Sequence, residues 1–289
     1  MKNNLLVVGG TGFIGSVICD KLKNNFNIIS ISKKLPLNKE KKIRYLKCDI
    51  LKYNEIVKVL KKYKIEYVIN AGGNKKIKNL INNIHFKGIN NLIKFLNNNK
   101  KIKKFIQIGS SEEYGELKPP HFENFFKIPK DDYGYLKLLN TFRLKYENWD
   151  KDFPSVILRP YSIFGIKQKR YHLIPQIIYN LKKNTKFKIQ NPKIKRNFLY
   201  VEDFVTILEL LLINKLNNAD IVNIGHYESI TILDMLKIIE KNFEVSKIYL
   251  NKNKNKFTHH YPNLKKMNKI LKKISFTNYD YAINCTINL

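Results

Sequence analysis

Cysteine is scarce in this 289-residue chain, and the three that occur, Cys19, Cys48 and Cys285, lie far apart. An odd, widely spaced set supports neither a disulfide framework nor a zinc site, so a reducing cytoplasmic setting is expected. Long apolar runs are absent as well; none approaches the roughly 20 residues needed to cross a bilayer. Glycines follow the first apolar residues at once, where the apolar stretch of a secretion signal would continue. Acidic residues are outnumbered, 23 against 54 Lys and Arg, for a formal charge of +31. The lysines, however, run along the whole chain (Lys21, Lys61, Lys100, Lys151, Lys182, Lys241 and Lys272 among them), mixed with Asn and Ile. A nucleic-acid site concentrates its charge, whereas scattered charge gives solubility and a general attraction for anions. Neither nucleic acid nor membrane is expected as a partner; an anionic nucleotide substrate suits the balance.

A hydrophobic content of 44%, with 12% of the chain aromatic, excludes disorder and suffices for a full core. Apolar runs at 5–8, 27–31, 44–47, 67–70, 104–108 and 155–158 read as buried strands, with helix-like stretches at 14–24, 53–63, 77–99 and 134–149. This alternation predicts an α/β fold, a doubly wound parallel (Rossmann) sheet that binds ligands beyond the carboxyl ends of its strands. After Arg159-Pro160 the rhythm loosens. A helix at 172–183, a strand to 201, a helix at 203–213, a strand at 220–224 and a helix at 232–242 suggest a smaller, partly intertwined C-terminal domain. The expected division is 1–165 for the dinucleotide and 166–289 mainly for the substrate, with some segments returning to the first domain. The Asn/Lys run 251–256 reads as an exposed loop.

The most informative segment is Gly9-Gly10-Thr11-Gly12-Phe13-Ile14-Gly15, directly after Leu5-Leu6-Val7-Val8. A buried strand, glycines at i, i+3 and i+6, and a following helix form the layout of a dinucleotide-phosphate loop. Gly9 permits the tight turn, Gly12 admits the pyrophosphate, and Gly15 lets the helix pack on the strand. The helix's free amides and positive dipole end then face the phosphates. The competing reading is a glycine-rich turn without a ligand, but its place after a strand and before a helix favours the loop.

Tyr133 and Lys137, in Tyr-Gly-Tyr-Leu-Lys, are about one helical turn apart and share a face. An ammonium beside a phenol stabilises phenolate, so Lys137 is expected to lower the Tyr133 pKa and make it an acid/base near neutrality. The strand at 104–108 runs into Gly109-Ser110-Ser111-Glu112-Glu113-Tyr114-Gly115, bringing hydroxyls and a carboxylate to the same sheet edge. Ser110 there can hold a sugar hydroxyl that Tyr133 deprotonates.

With the glycine loop, Asp49, Asn70-Ala71-Gly72, Ser110 before Tyr114-Gly115, Tyr133/Lys137, Leu158-Arg159-Pro160, Phe164-Gly165 and the string from Arg196 to Asp203, the chain resembles the extended short-chain dehydrogenase/reductase family over nearly its whole length. The resemblance is to the nucleotide-sugar epimerase/dehydratase/reductase group. It implies that Asp49 and Ile50 cradle adenine, that Ala71 and Gly72 border the cofactor's ribose and phosphates, and that Lys137 holds the nicotinamide ribose. It further implies that the backbone at Tyr161 and Ser162 meets the carboxamide. Ser111 and Glu112 would contact the sugar, and Arg196 its diphosphate, against the alternative of a solvated cluster with Lys193 and Lys195.

The implied activity is a nicotinamide-dependent oxidoreductase working at carbon 4 of a nucleotide-linked hexose or heptose, in surface-polysaccharide synthesis. A 4-epimerase comes second and a 4,6-dehydratase using Glu112 third. A cofactor-sensing or RNA-binding module is the non-enzymatic alternative. The second strand ends in Ser30-Ile31-Ser32-Lys33-Lys34 with no carboxylate for an adenosine 2′-hydroxyl, so Ser32 and Lys33 leave NAD and NADP both open. A homodimer is also implied, through Ile84, Ile89, Leu92 and Phe95 on one helix and Leu139, Phe142 and Tyr146 on the other, read as second apolar faces. Cys48 and Cys285 read as packing residues, and His121 and His226 as ordinary loop residues. His259-His260 lacks further ligands at metal spacing.

Overall fold

The computed structural model of the chain describes residues 2–73, 79, 83–98, 102–214, 216, 218–243, 248–251, 259–271 and 274–287. The N-terminal half alternates β1 (Asn4–Val8), α1 (Phe13–Leu22), β2 (Asn27–Ser32), β3 (Ile43–Lys47), α2 (Tyr53–Leu60), β4 (Tyr67–Asn70), α3 (Ile89–Asn97), β5 (Lys104–Ile108), α4 (Asp132–Lys151) and β6 (Ser155–Pro160). Strands β1 to β6 pair in parallel in the order β6-β5-β4-β1-β2-β3. The reversal between β1 and β4 marks where a doubly wound sheet opens a ligand crevice. Leu5, Leu6, Val7 and Val8 are all buried, as a central strand covered by helices on both faces requires. Each such fully buried aliphatic side chain contributes about 1.5–3 kcal/mol relative to exposure.

Helix α3 differs from the expected long helix. It is preceded by a π-helical turn, Ile84–Gly88, held by Asn83, whose Oδ1 accepts from the backbone N–H groups of His85 and Phe86. Residues 77, 78, 80–82 and 99 of the expected helix lie outside the described residues. The second apolar face assigned to α3 is also corrected: Ile89 and Leu92 are buried in the sheet's own core, and Ile84 and Phe95 pack partly buried against it. The apolar residues of this helix already have their partner.

The remaining elements are β7 (Ser162–Phe164), α5 (Leu173–Lys182), β8 (Phe187–Gln190), β9 (Lys195–Arg196), β10 (Phe198–Tyr200), α6 (Val201–Ile213), β11 (Asp220–Ile224), β12 (Ile230–Thr231), α7 (Ile232–Glu240), β13 (Ile248–Asn251), α8 (Lys265–Leu271) and α9 (Tyr279–Ile287). Strand β11 adds a seventh strand beside β6. The chain forms two compact units: residues 1–115, 126–159 and 208–222 make the first, and 116–125, 160–207 and 223–289 the second.

In the second unit β7 pairs with β10, β9 with β12, and β8 with β13. Asn197 ties it together: its amide donates to the His226 and Glu228 carbonyls and to Ser229 Oγ, and its Oδ1 accepts from His226 N–H. His121 and His226 lie in connecting segments outside the named helices and strands, and both are buried there. His121 Nδ1 lies 2.9 Å from the Tyr161 hydroxyl and its Nε2 2.9 Å from the Leu117 carbonyl. Burial lowers the His226 pKa. Of the run read as a loop, Asn251 ends β13 and residues 252–256 lie outside the described residues.

Candidate active site

The glycine loop leaves the carboxyl end of β1 with Gly9 at φ +77°, a left-handed conformation that favours glycine. The turn is closed by Gly9 N–H on the Ile31 carbonyl at 2.8 Å and Gly12 N–H on the Gly9 carbonyl at 2.9 Å. A Cβ on Gly15 would collide with the Gly9 carbonyl, so α1 can seat against the loop only with glycine there. Helix α1 has no side-chain cap, so Phe13 and Ile14 lie in an N-terminal turn open to an anion. A Cβ on Gly12 would meet one atom, the Gly9 carbonyl oxygen, in a tight contact at 3.2 Å.

This cradle fits the diphosphate of a dinucleotide. Gly12→Val would put a side chain into the loop without straining φ, which is −79° there, the Gly9 carbonyl giving by a few tenths of an ångström. We expect the variant to fold and to lose dinucleotide affinity by about 100-fold or more, about 2.8 kcal/mol. Calorimetric titration with NAD reads this directly, and wild-type affinity would remove the assignment.

The neighbouring strand ends converge on the loop. Ala71 N–H donates to the Val8 carbonyl at 3.0 Å, and a Cβ on Gly9 would touch Gly72 at 2.9 Å. Asn70 sets that corner, accepting from Gly72 N–H while its amide donates to Gln107. Ser32 Oγ accepts from Thr11 N–H at 3.2 Å. Lys33 pairs with the Asp49 carboxylate at 3.1 Å, so its ammonium is already held by an acid. Ile50 is buried and packs against Gly88. These cofactor-facing candidates all belong to the first unit.

So do the candidate catalytic residues. Asp131 caps α4 by accepting from Gly134 N–H at 2.8 Å. Gly134, between the two tyrosines of the motif, lets α4 approach the Glu112 carbonyl, which a Cβ would meet at 2.6 Å. That contact seats the helix against a short 3-10 turn, Ser111–Tyr114, capped by Ser110. The Ser110 hydroxyl is hydrogen-bonded to the Tyr133 phenol. Lys137 is buried, with Nζ donating to the Ile108 carbonyl at 2.7 Å and lying 5.6 Å from the Tyr133 ring centre.

The expected lowering of the Tyr133 pKa is not what this environment produces. Burial pushes the phenol well above its ordinary value, the Ser110 hydrogen bond opposes this, and Glu112, Glu113 and Asp131 add to the rise. Burial also lowers Lys137 to about 8, with Glu113 opposing. Lys137 thus holds its proton less firmly than a free lysine, because its ammonium is costly to bury.

Sequence reasoning missed the support beneath this site. Glu113, fully buried, accepts from Ser110 N–H at 2.9 Å, Thr141 Oγ1 at 2.7 Å and Arg159 Nε at 2.9 Å. The signal was present: an acid beside Glu112 in an otherwise small and aromatic string, and an Arg inside the apolar β6. The site's other missed residue is His85, whose ring stands edge-on to Tyr133 with centres 5.4 Å apart.

Tyr161, Ser162 and Arg196 belong to the second unit. Tyr161 N–H donates to the Ile224 carbonyl and Ser162 N–H to the Asn197 carbonyl, both at 3.0 Å. Arg196, half-buried on β9, bridges through its backbone to Ile230 and His260. No group of three or more metal-ligating side chains occurs among the described residues, and none of their helices is long and apolar enough to cross a membrane.

A family model described as NAD dependent epimerase/dehydratase matches residues 5–225. The chain is 29% identical over 271 residues to a dTDP-D-glucose 4,6-dehydratase of Dictyostelium discoideum, covering 81% of this chain and 61% of that protein. It is 28% identical over 256 residues to a putative UDP-glucose 4-epimerase of Methanocaldococcus jannaschii, covering 82% of this chain and 81% of that protein. Its fold matches the crystal structure of a Bacillus anthracis dTDP-glucose 4,6-dehydratase in complex with NAD, at a TM-score of 0.87 and 18% identity over 99% of this chain and 95% of that one. Of the two cofactors left open at the end of β2, the family's is NAD. From its glycine loop to its Tyr133/Lys137 helix, this chain belongs to the NAD-dependent epimerase/dehydratase family of enzymes, within the extended short-chain dehydrogenases/reductases.

Proposed function

We propose that this enzyme oxidises or reduces carbon 4 of a nucleotide-linked hexose or heptose, in the synthesis of a surface polysaccharide. The observation that carries this reading is the Ser110–Tyr133–Lys137 cluster, held in one unit beside the glycine loop. Bound NAD supplies the hydride acceptor and, when oxidised, a positive charge that favours phenolate. Ser110 holds the C4 hydroxyl, Tyr133 takes its proton, and Lys137 binds the nicotinamide ribose and counters the phenolate. Ser111 and Glu112 line the sugar, Arg196 grips the diphosphate with its guanidinium fork, and Tyr161 and Ser162 meet the carboxamide.

One observation favours a second reading, a 4,6-dehydratase: the Glu112 carboxylate acts electrostatically on Tyr133. A dehydratase needs such a carboxylate to remove the proton at carbon 5. The discriminating experiment incubates the holoenzyme in deuterium oxide with UDP-, dTDP-, GDP- and CDP-sugars and reads the products by mass spectrometry. Redox chemistry at carbon 4 leaves carbon 5 free of deuterium, and Glu112→Gln then retains most of the turnover. Deuterium at carbon 5 with a product lighter by one water would establish the dehydratase.

The working form is a homodimer joined through α4. Its outer face carries Phe142, Tyr146 and Trp149, which are 46%, 51% and 80% exposed, and Phe126 packs on Phe142. This aromatic stripe at helical spacing supports a partner of the same kind. Sedimentation at micromolar concentration should give twice the chain mass, and Trp149→Glu with Tyr146→Glu should give the monomer.

A further inference from the structure

We propose that the first unit carries a second anion site, a cleft at the amino ends of β1, β2 and β3 that takes the phosphate chain of a nucleoside di- or triphosphate. The inference goes beyond the reaction at carbon 4 and does not depend on it. The cleft has a volume of about 450 Å³, within the range of small-ligand sites, about 300–1,000 Å³. Asn4, Asn27 and Ile43, which open the three strands, all line it. The glycine loop leaves the opposite, carboxyl end of β1, so five residues of strand lie between the two, about 17 Å of extended chain. Buried Ile28 and Ile43 form the apolar part of the lining, and Lys41, Lys42, Arg44 and Tyr63 the rest that a ligand would use.

The cations of this cleft are uncompensated. Lys42 Nζ donates to the neutral Asn24 Oδ1 at 2.9 Å, and Arg44 Nη1 to the Tyr63 hydroxyl at 3.5 Å. Among the described residues no carboxylate pairs with Lys41, Lys42 or Arg44. The acids of the adjoining chain are already taken, Glu40 by Lys23 at 3.0 Å and Glu66 by Lys103 at 2.9 Å. Helices α1 and α2 have Lys21 and Lys58 in their own last turns, so their dipoles do not account for the extra charge. Like charges gathered in a concavity repel one another and raise the local potential, and a multivalent anion relieves both. Composition singles out Arg44, since only five of the 54 basic residues are Arg. Arg143 and Arg159 pair with Glu147 and Glu113, whereas Arg44 has no acid and lies 5.5 Å from the Tyr63 ring centre. A guanidinium fork grips phosphate with two bonds where Lys offers a point charge. The phosphates thus meet Lys41, Lys42 and Arg44, and the base lies against the flat surface of Tyr63.

Calorimetric titration of the NAD-saturated protein with ATP tests the site, NAD keeping the glycine loop filled. Lys41→Gln/Arg44→Gln should weaken ATP binding by about 10–100-fold, the effect of losing hydrogen bonds to charged groups. Its ligand-free thermal midpoint should hold or rise, because repulsion is relieved. Lys237→Gln/Lys269→Gln removes two exposed charges elsewhere and should bind ATP as the wild type does. Tyr63→Ala should weaken ATP by about 10-fold, the range for one stacked base, and leave inorganic tripolyphosphate unaffected. Wild-type affinity in Lys41→Gln/Arg44→Gln, or no binding of ATP at millimolar concentration, would overturn the site. Equal losses in the two double variants would show a general attraction for anions and overturn it as well. ATP binding lost in Arg196→Gln but kept in Lys41→Gln/Arg44→Gln would place the nucleotide elsewhere. Tripolyphosphate bound as tightly as ATP, with Tyr63→Ala silent, would remove the nucleoside from the proposal. None of these titrations involves turnover, so a failure of the carbon 4 reading leaves them unchanged.

Discussion

Tyr133→Phe should cut turnover by about 10²–10⁴-fold, the range for losing a positioned acid/base, while NAD still binds. The substitution removes only the hydroxyl that bonds Ser110. Ring contacts with His85 and the seating of α4 through Gly134 are unaffected, so the thermal midpoint should stay close to that of the wild type. Single-turnover kinetics with NAD and the panel sugar measures the chemical step apart from binding. An unchanged rate would show that another group handles the C4 proton.

Glu113→Gln should destabilise the first unit by about 3–5 kcal/mol, the cost of leaving one partner of a buried ion pair uncompensated. Arg159 and Glu113 are 2% and 1% exposed, so water cannot take over the lost role. Lys137 loses a nearby negative charge at the same time, which should weaken its hold on its proton further. Urea denaturation followed by circular dichroism reads the loss. The double variant Glu113→Leu/Arg159→Met removes both charges and should recover much of it, because a buried pair replaced by apolar side chains of similar size is often near neutral. Equal stability of Glu113→Gln and wild type would mean that the pair carries no net load.

The doubly wound sheet is legible in the sequence. Buried parallel strands such as Leu5-Leu6-Val7-Val8 are near-continuous apolar runs, and Gly9, Gly12 and Gly15 announce a turn that other residues cannot make. Helix spacing alone brought Tyr133 and Lys137 to one face. Helix ends were harder to read: α4 begins at Asp132 and α3 follows a π-helical turn, because capping by Asp131 and Asn83 is settled by local side-chain geometry.

What the amino-acid order determined by itself is the architecture, and with it the glycine loop after β1 and the shared face of Tyr133 and Lys137, since each is written in short-range periodicity or in residues with unusual backbone freedom. The tertiary structure alone decided the electrostatics and the partners. Glu113, adjacent in sequence to the candidate base Glu112, is instead a buried anchor for Arg159 and Ser110. The Tyr133 pKa rises where the Lys137 spacing suggested a fall. Ile89 and Leu92 turn out to face the core, and His85 meets Tyr133 from a different helix. Burial and charge–charge energies depend on neighbours tens of residues away in the chain, so no local pattern carries them.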